Sequence, residues 1–104
     1  MEVIIKLSDR PDKRYMAVFY DKNNKVKTTH FGYAITDDKG IKKYGSTYID
    51  HKNDELKSAY IARHKVNEDF TYYMSSGSLS RYILWEKKSL REAINNFKRR
   101  FRLE

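Results

Sequence analysis

Cysteine is absent from this chain, so no disulfide can staple it and no thiolate can hold a metal. Nothing ties it to an oxidising compartment, and an intracellular setting is the default expectation. One proline and four glycines leave no room for a Pro-rich or Gly/Ser-rich linker, and neither an internal repeat nor a low-complexity tract interrupts the sequence. No window approaches the roughly 18 to 20 consecutive apolar residues that a membrane span requires. The start, MEVIIKLSDRPDKR, has an acidic second residue and only a short apolar run. A secretory signal wants a basic start and an apolar stretch of about 7 to 15 residues, so secretion is not expected.

What is present is apolar and ring-rich: 39% hydrophobic and 14% aromatic residues, with nine Tyr and five Phe, too much for a disordered tail. The 104 residues fit a single domain, 1–104, around one core. Twenty-two Lys and Arg against fourteen Asp and Glu give a formal charge of +8, which favours polyanionic partners. The excess is uneven. Between 87 and 102 stand seven bases, Lys87, Lys88, Arg91, Lys98, Arg99, Arg100 and Arg102, against one acid, Glu92.

The first half reads as strands. EVIIKL alternates and is β-branched, RYMAVFYD puts Tyr15, Ala17 and Phe19 on one face, and KVKTTHFGYAI alternates again. DKNNK at 21–25 has hairpin-turn composition and pairs the second and third strands antiparallel. DDKG at 37–40 is a second turn, before IKKYGSTYI as a short fourth strand. The second half reads as helices. Asn53 caps a helix beginning at Asp54, whose apolar stripe is Leu56, Ala59 and Tyr60, continued by Val66. A second helical piece runs from about Leu79 through Trp85, opened by Ser78. The third, SLREAINNFKRRF, opens with Ser89 and Glu92 in capping-box spacing and aligns Leu90, Ala93, Ile94, Phe97 and Phe101. The expected fold is α+β: a small antiparallel sheet of three to four strands packed by about three helices.

The segments FG (31–32), YIDHK (48–52), YIARHKVNEDF (60–70), SRYILW (80–85) and KKSLREAINNFKRRF (87–101) together resemble a small uncharacterised domain family of giant viruses, the nucleocytoplasmic large DNA viruses. The likeness covers about two-thirds of the chain, in order. This chain departs from the pattern in a longer interval after Phe31 and Gly32, in Asn53 interrupting a His-Lys-Asp run, and in Phe70 and Tyr82 standing where Trp is usual. No activity, cofactor or site residue comes with the resemblance. It implies a viral setting: the virion or the interior of an infected cell, cytoplasm or nucleus.

Among chemistry-bearing groups, His64 and Glu68 stand four apart, the spacing by which a helix presents two metal ligands, with His51, Asp50 or Asp69 as a third. No HExxH run supports that reading. His51, Arg63, His64 and Glu68 read more plainly as a polar network fixing a helix against its neighbours. His30, His51, Asn53 and His64 suggest His-Asn-His nuclease character without the spacing of a recognisable motif. SSGSLSR at 75–81 lacks the strand that a nucleophile elbow needs, but Ser76, Gly77 and Ser78 with Arg81 could cradle an anion at a helix start. Tyr15, Phe19, Tyr33, Tyr44 and Tyr48 lie among lysines, where rings on a sheet can stack bases.

The terminal helix is the strongest candidate surface. Lys98 and Arg102 share a flank at i,i+4, Arg91 and Lys98 at i,i+7, and Lys87 and Lys88 precede the cap. The expectation is therefore a small basic viral module that binds nucleic acid, DNA ahead of RNA, through phosphate contacts from Arg81, Lys87, Lys88, Arg91, Lys98, Arg99 and Arg102, without catalysis and without a cofactor. The alternative is a structural or minor capsid component meeting an acidic viral protein. Behind both stands a metal-dependent hydrolase using His51, His64 and Glu68.

Overall fold

The structure is a computed structural model that describes residues 1–43, 46–65 and 70–104. Among these, strands β1 (Glu2–Leu7), β2 (Lys13–Asp21) and β3 (Asn24–Tyr33) form an antiparallel sheet in the order β1-β2-β3. Lys22 and Asn23 both take positive φ (51° and 68°), the geometry by which a two-residue loop matches the twist of the strands it joins. The expected face is the buried one: Tyr15, Ala17 and Phe19 meet Val3 of β1 and Phe31 of β3 in the core. Past Phe19 the register shifts, Phe19 pairing with Lys27 and Tyr20 with Lys25, so Val26 bulges outward and is exposed.

Of the expected fourth strand over 41–49, the described residues include β5 (Lys42–Lys43), which pairs with β4 (Ile35–Thr36) as a separate ribbon. Asp37 makes the connecting turn, its Oδ1 accepting from the backbone N–H groups of Lys39 and Ile41, both at 2.9 Å. Beyond it the chain becomes helix α1 (Tyr48–His51) instead of strand. Thr47 is its cap, and the Asp50 carboxylate reaches back to the Thr47 N–H at 3.2 Å.

Asn53 caps α2 (Asp54–Lys65) as expected, its Oδ1 accepting from the N–H of Glu55 at 2.9 Å and of Leu56 at 3.1 Å. The expected apolar stripe is corrected: Leu56 and Ala59 are exposed, and the inward side is Lys57, Tyr60, Ile61 and His64. Lys57 takes the inner position because its ammonium has partners there, the Glu86 carbonyl at 2.9 Å and the Tyr48 ring at 5.0 Å. Val66 lies outside the described residues. The next helix starts earlier than expected. Ser75, not Ser78, caps α3 (Ser76–Leu79), accepting from the Ser78 N–H at 3.1 Å, and the chain continues directly into a π-helical turn, Ser80–Leu84. Helix α4 (Leu90–Arg100) opens at Ser89 and buries Ala93 and Phe97, with Leu90, Ile94 and Phe101 packed on the core. It ends in a Schellman motif: Leu103 N–H bonds Lys98 O at 2.7 Å, and Arg102 takes the left-handed position at φ 55°.

Two contacts lock helices to sheet. Arg14 of β2, its side chain 6% exposed, grips Asp50 of α1 through two parallel bonds of 2.8 and 2.9 Å, and Thr47 Oγ1 donates to the same carboxylate at 2.6 Å. Burial pushes the Asp50 carboxyl upward, but the hydrogen bonds from Arg14 and Thr47 and the guanidinium charge outweigh it, leaving the pKa below the usual 3.8. Opposite Arg14, Gly32 sits at φ +81°, where an added Cβ would lie 3.0 Å from Leu84 Cδ1 and 3.1 Å from Arg14 Cβ.

Gly32→Ala is expected to lose about 2 to 4 kcal/mol, combining a left-handed alanine with overpacking, and urea denaturation would measure it. Asp50→Asn should lose about 3 kcal/mol by leaving the buried Arg14 charge uncompensated. The wild type's contribution from this pair is full above the ordinary carboxylate range and fades as pH falls through the lowered folded value. A stability profile from neutral pH to below 3 should therefore be flatter in the variant.

Candidate nucleic-acid interface and the aromatic stack

Helix α4 distributes its bases by period. With Leu90, Ala93, Ile94 and Phe97 facing the core, the 3.6-residue turn sets Arg91 and Lys98 on one flank, Arg99 on the outer side and Arg100 on the opposite flank. Arg91 and Arg99 are exposed and Lys98 is half-buried. The expected Lys98 and Arg102 pairing on one flank is corrected, because the helix stops at Arg100 and the left-handed backbone at Arg102 turns the chain away. Arg102 remains exposed at that end, while exposed Lys88 and half-buried Lys87 lie in the bend before the cap.

Arg81 is placed elsewhere. Its guanidinium pairs with Glu86, the two side chains being 15% and 17% exposed, and lies 5.1 Å from the Tyr82 ring centre. Arg100 approaches the same ring at 4.5 Å. Burial raises the Glu86 carboxyl, yet the Arg81 bond and the charges of Arg81, Lys57 and Arg100 prevail and hold it below its ordinary value. Arg81 bonds this carboxylate directly, and Lys57 and Arg100 act on it through their charge. Sequence reasoning passed over Lys57, Glu86 and Arg100 in this role; the five-residue step from Arg81 to Glu86 is not an α-helical pairing distance, and it becomes a contact across the π-helical turn. The anion cradle expected at Ser76, Gly77 and Ser78 is likewise corrected: the Ser78 N–H is bonded to Ser75, Ser78 is buried, and Arg81 is engaged with Glu86.

The histidines are gathered by rings. Tyr60 lies flat on Trp85, centroids 4.2 Å apart at an interplanar angle of 1°. His64 covers Tyr60 at 4.3 Å, and His51 meets Trp85 edge-on at 5.4 Å. His51 Nδ1 also accepts the Asn53 N–H at 3.0 Å. Arg63, expected beside them, is exposed on the outer side of α2, and Glu68 and Asp69 lie outside the described residues. His30 is remote in role, its Nδ1 2.7 Å from Ser8 Oγ. Among the described residues, no three His, Asp or Glu side chains gather as a metal site. Nearby, the Tyr48 hydroxyl donates to Asp54, a bond that raises the phenol and lowers the carboxyl.

Of the rings expected to stack bases, Tyr15, Phe19 and Tyr48 are buried, Tyr44 lies outside the described residues, and Tyr33 is 69% exposed. Among the described residues, no helix is long and apolar enough to cross a membrane.

No curated protein and no solved structure matches the chain. A family match does exist, over residues 3–64. It spans the sheet, the Arg14–Asp50 pair, Gly32, His51, Tyr60 and His64, and stops short of Trp85 and α4. Covering more than half of its length, that match makes the chain a member of the family of unknown function DUF5754.

Proposed function

We propose that the protein is a small basic module that binds nucleic acid through phosphate contacts and performs no chemistry of its own. The observation that carries the reading is the basic surface of α4: Arg91 and Lys98 on one flank and Arg99 on the outer side, with Lys87 and Lys88 at one end and Arg102 at the other, and Glu92 is the acid among them. Cations in a last helical turn also stabilise the helix dipole, but Arg91 is in the first turn, where that effect opposes it. The proposed setting is a large DNA virus, with DNA ahead of RNA as partner. Arg81 drops out of the contact set, because its charge is committed to Glu86.

A second reading, a structural component of a virion that meets an acidic protein, has its own support in Leu7, Ile35 and Ile41. These are 64%, 57% and 58% exposed beside a lysine-bearing ribbon, where an apolar contact ringed by bases would suit such a partner.

With about four phosphates neutralised, affinity for a labelled 20-base-pair duplex should fall with salt at a log-log slope of roughly −3.6, about 100-fold between 50 and 200 mM. The triple variant Arg91→Gln/Lys98→Gln/Arg99→Gln should reduce that slope to about −1, and Arg81→Gln should leave it unchanged. Absence of binding at low salt would remove the reading.

A further inference from the structure

The fold closes a cleft of about 220 Å³ between Gly32 and Tyr33 of β3, Ser46 and Thr47 before α1, Tyr60 of α2, and Ser80, Leu84 and Trp85 around the π-helical turn. Three features define what it would take. Its walls include the parallel Tyr60–Trp85 pair, while the Tyr33 ring, 69% exposed, stands at the same opening with no core to fill. Ser46 and Ser80 line it, and neither hydroxyl has a hydrogen-bond partner among the described residues. Its volume falls below the roughly 300 Å³ at which drug-sized pockets begin, so it suits one ring system. The π-helical turn adds an independent pointer, since such turns are uncommon, concentrate at functional sites, and here deliver Ser80, Leu84 and Trp85 to one opening.

The exposed Tyr33 ring, beside an aromatic-lined cleft with two uncommitted serine side chains, matches a planar heteroaromatic ring that carries donors and acceptors on its edge. The chain's +8 charge favours such a ring when it arrives on a phosphate chain. We propose that this cleft accepts one unpaired nucleobase, from a strand end or a single-stranded segment, with Tyr33 as the outer stacking ring and Ser46 and Ser80 bonding the base edge. The inference deepens the nucleic-acid reading and rests on it for delivery of the strand. It adds a preference for unpaired bases that phosphate contacts alone do not give.

Trp85 is the chain's single tryptophan, so its fluorescence reports the cleft directly. The test titrates the full chain, at low salt, with a 12-nucleotide DNA strand, with the same strand made abasic, and with uncharged adenosine. Expected is saturable quenching of Trp85 by the base-bearing strand, bound about 10-fold more tightly than the abasic one. Tyr33→Ala should abolish that 10-fold difference while leaving the abasic affinity unchanged; at its exposed position it does not threaten folding. The α4 triple variant should weaken both strands equally. Equal affinity for the two strands, or unchanged Trp85 emission at saturation, overturns the cleft assignment while leaving phosphate binding intact. If neither strand binds, the nucleic-acid reading fails on its own, and adenosine decides the cleft: quenching that Tyr33→Ala weakens supports it, and no quenching overturns it.

Discussion

The two parallel bonds between Arg14 and Asp50 are the constraint on which the other tertiary contacts depend. They join the central strand to the first helix across 36 positions of sequence and fix where the chain turns from sheet to helices. A buried ion pair is not by itself a large source of stability, since desolvating two charges offsets most of their attraction. Its contribution is geometric. A planar guanidinium accepts a carboxylate in few orientations, so α1 is held at one angle, and α2, separated from it by two residues, inherits that placement. Gly32 completes the arrangement, its missing side chain leaving room for both Arg14 and Leu84.

From that anchor the ring contacts follow. Once α2 is placed, Tyr60 reaches Trp85, and the stack of His64, Tyr60, Trp85 and His51 bridges two helices and the π-helical turn. Histidines that suggest ligands in the sequence are thereby used as flat packing surfaces with polar edges. On the other side of the turn, Glu86 holds Arg81 by its carboxylate and Lys57 by its backbone carbonyl. The positive charge is thus divided in two: Lys57 and Arg81 are half-buried beside Glu86, while Arg91 and Arg99 of α4 are exposed.

Where the sequence could be read, a local physical signal decided the outcome. Alternation in 14–21 and turn residues at 21–25 specify the hairpin, and Ser89 with the 3.6-residue spacing of Leu90 to Phe101 specifies α4. Asn53 was legible as a cap for the same reason. Reading failed where a distant partner overrides local preference. Residues 47–49 look like strand until Arg14 is there to engage Asp50, and Leu56 looks buried until Lys57 finds the Glu86 carbonyl and the Tyr48 ring. Arg81 looked like a free cation because its partner lies five residues on. The cleft was illegible for a related reason: its walls come from four separate stretches of chain, and none of them carries a pattern that announces the others.

The π-helical turn at Ser80–Leu84 also sets the phase of the chain that follows it. Closing each hydrogen-bonded ring with one more residue than an α-helix uses delays the rotation of the chain by roughly one residue, about 100° around the axis. Everything after it is reset by that angle: Trp85 toward Tyr60, Glu86 back toward Arg81. Continued as plain α-helix, the same residues would point these two side chains in other directions. The turn therefore works as a built-in offset, converting a run of sequence with no special motif into the joint between the aromatic and the charged halves of the molecule.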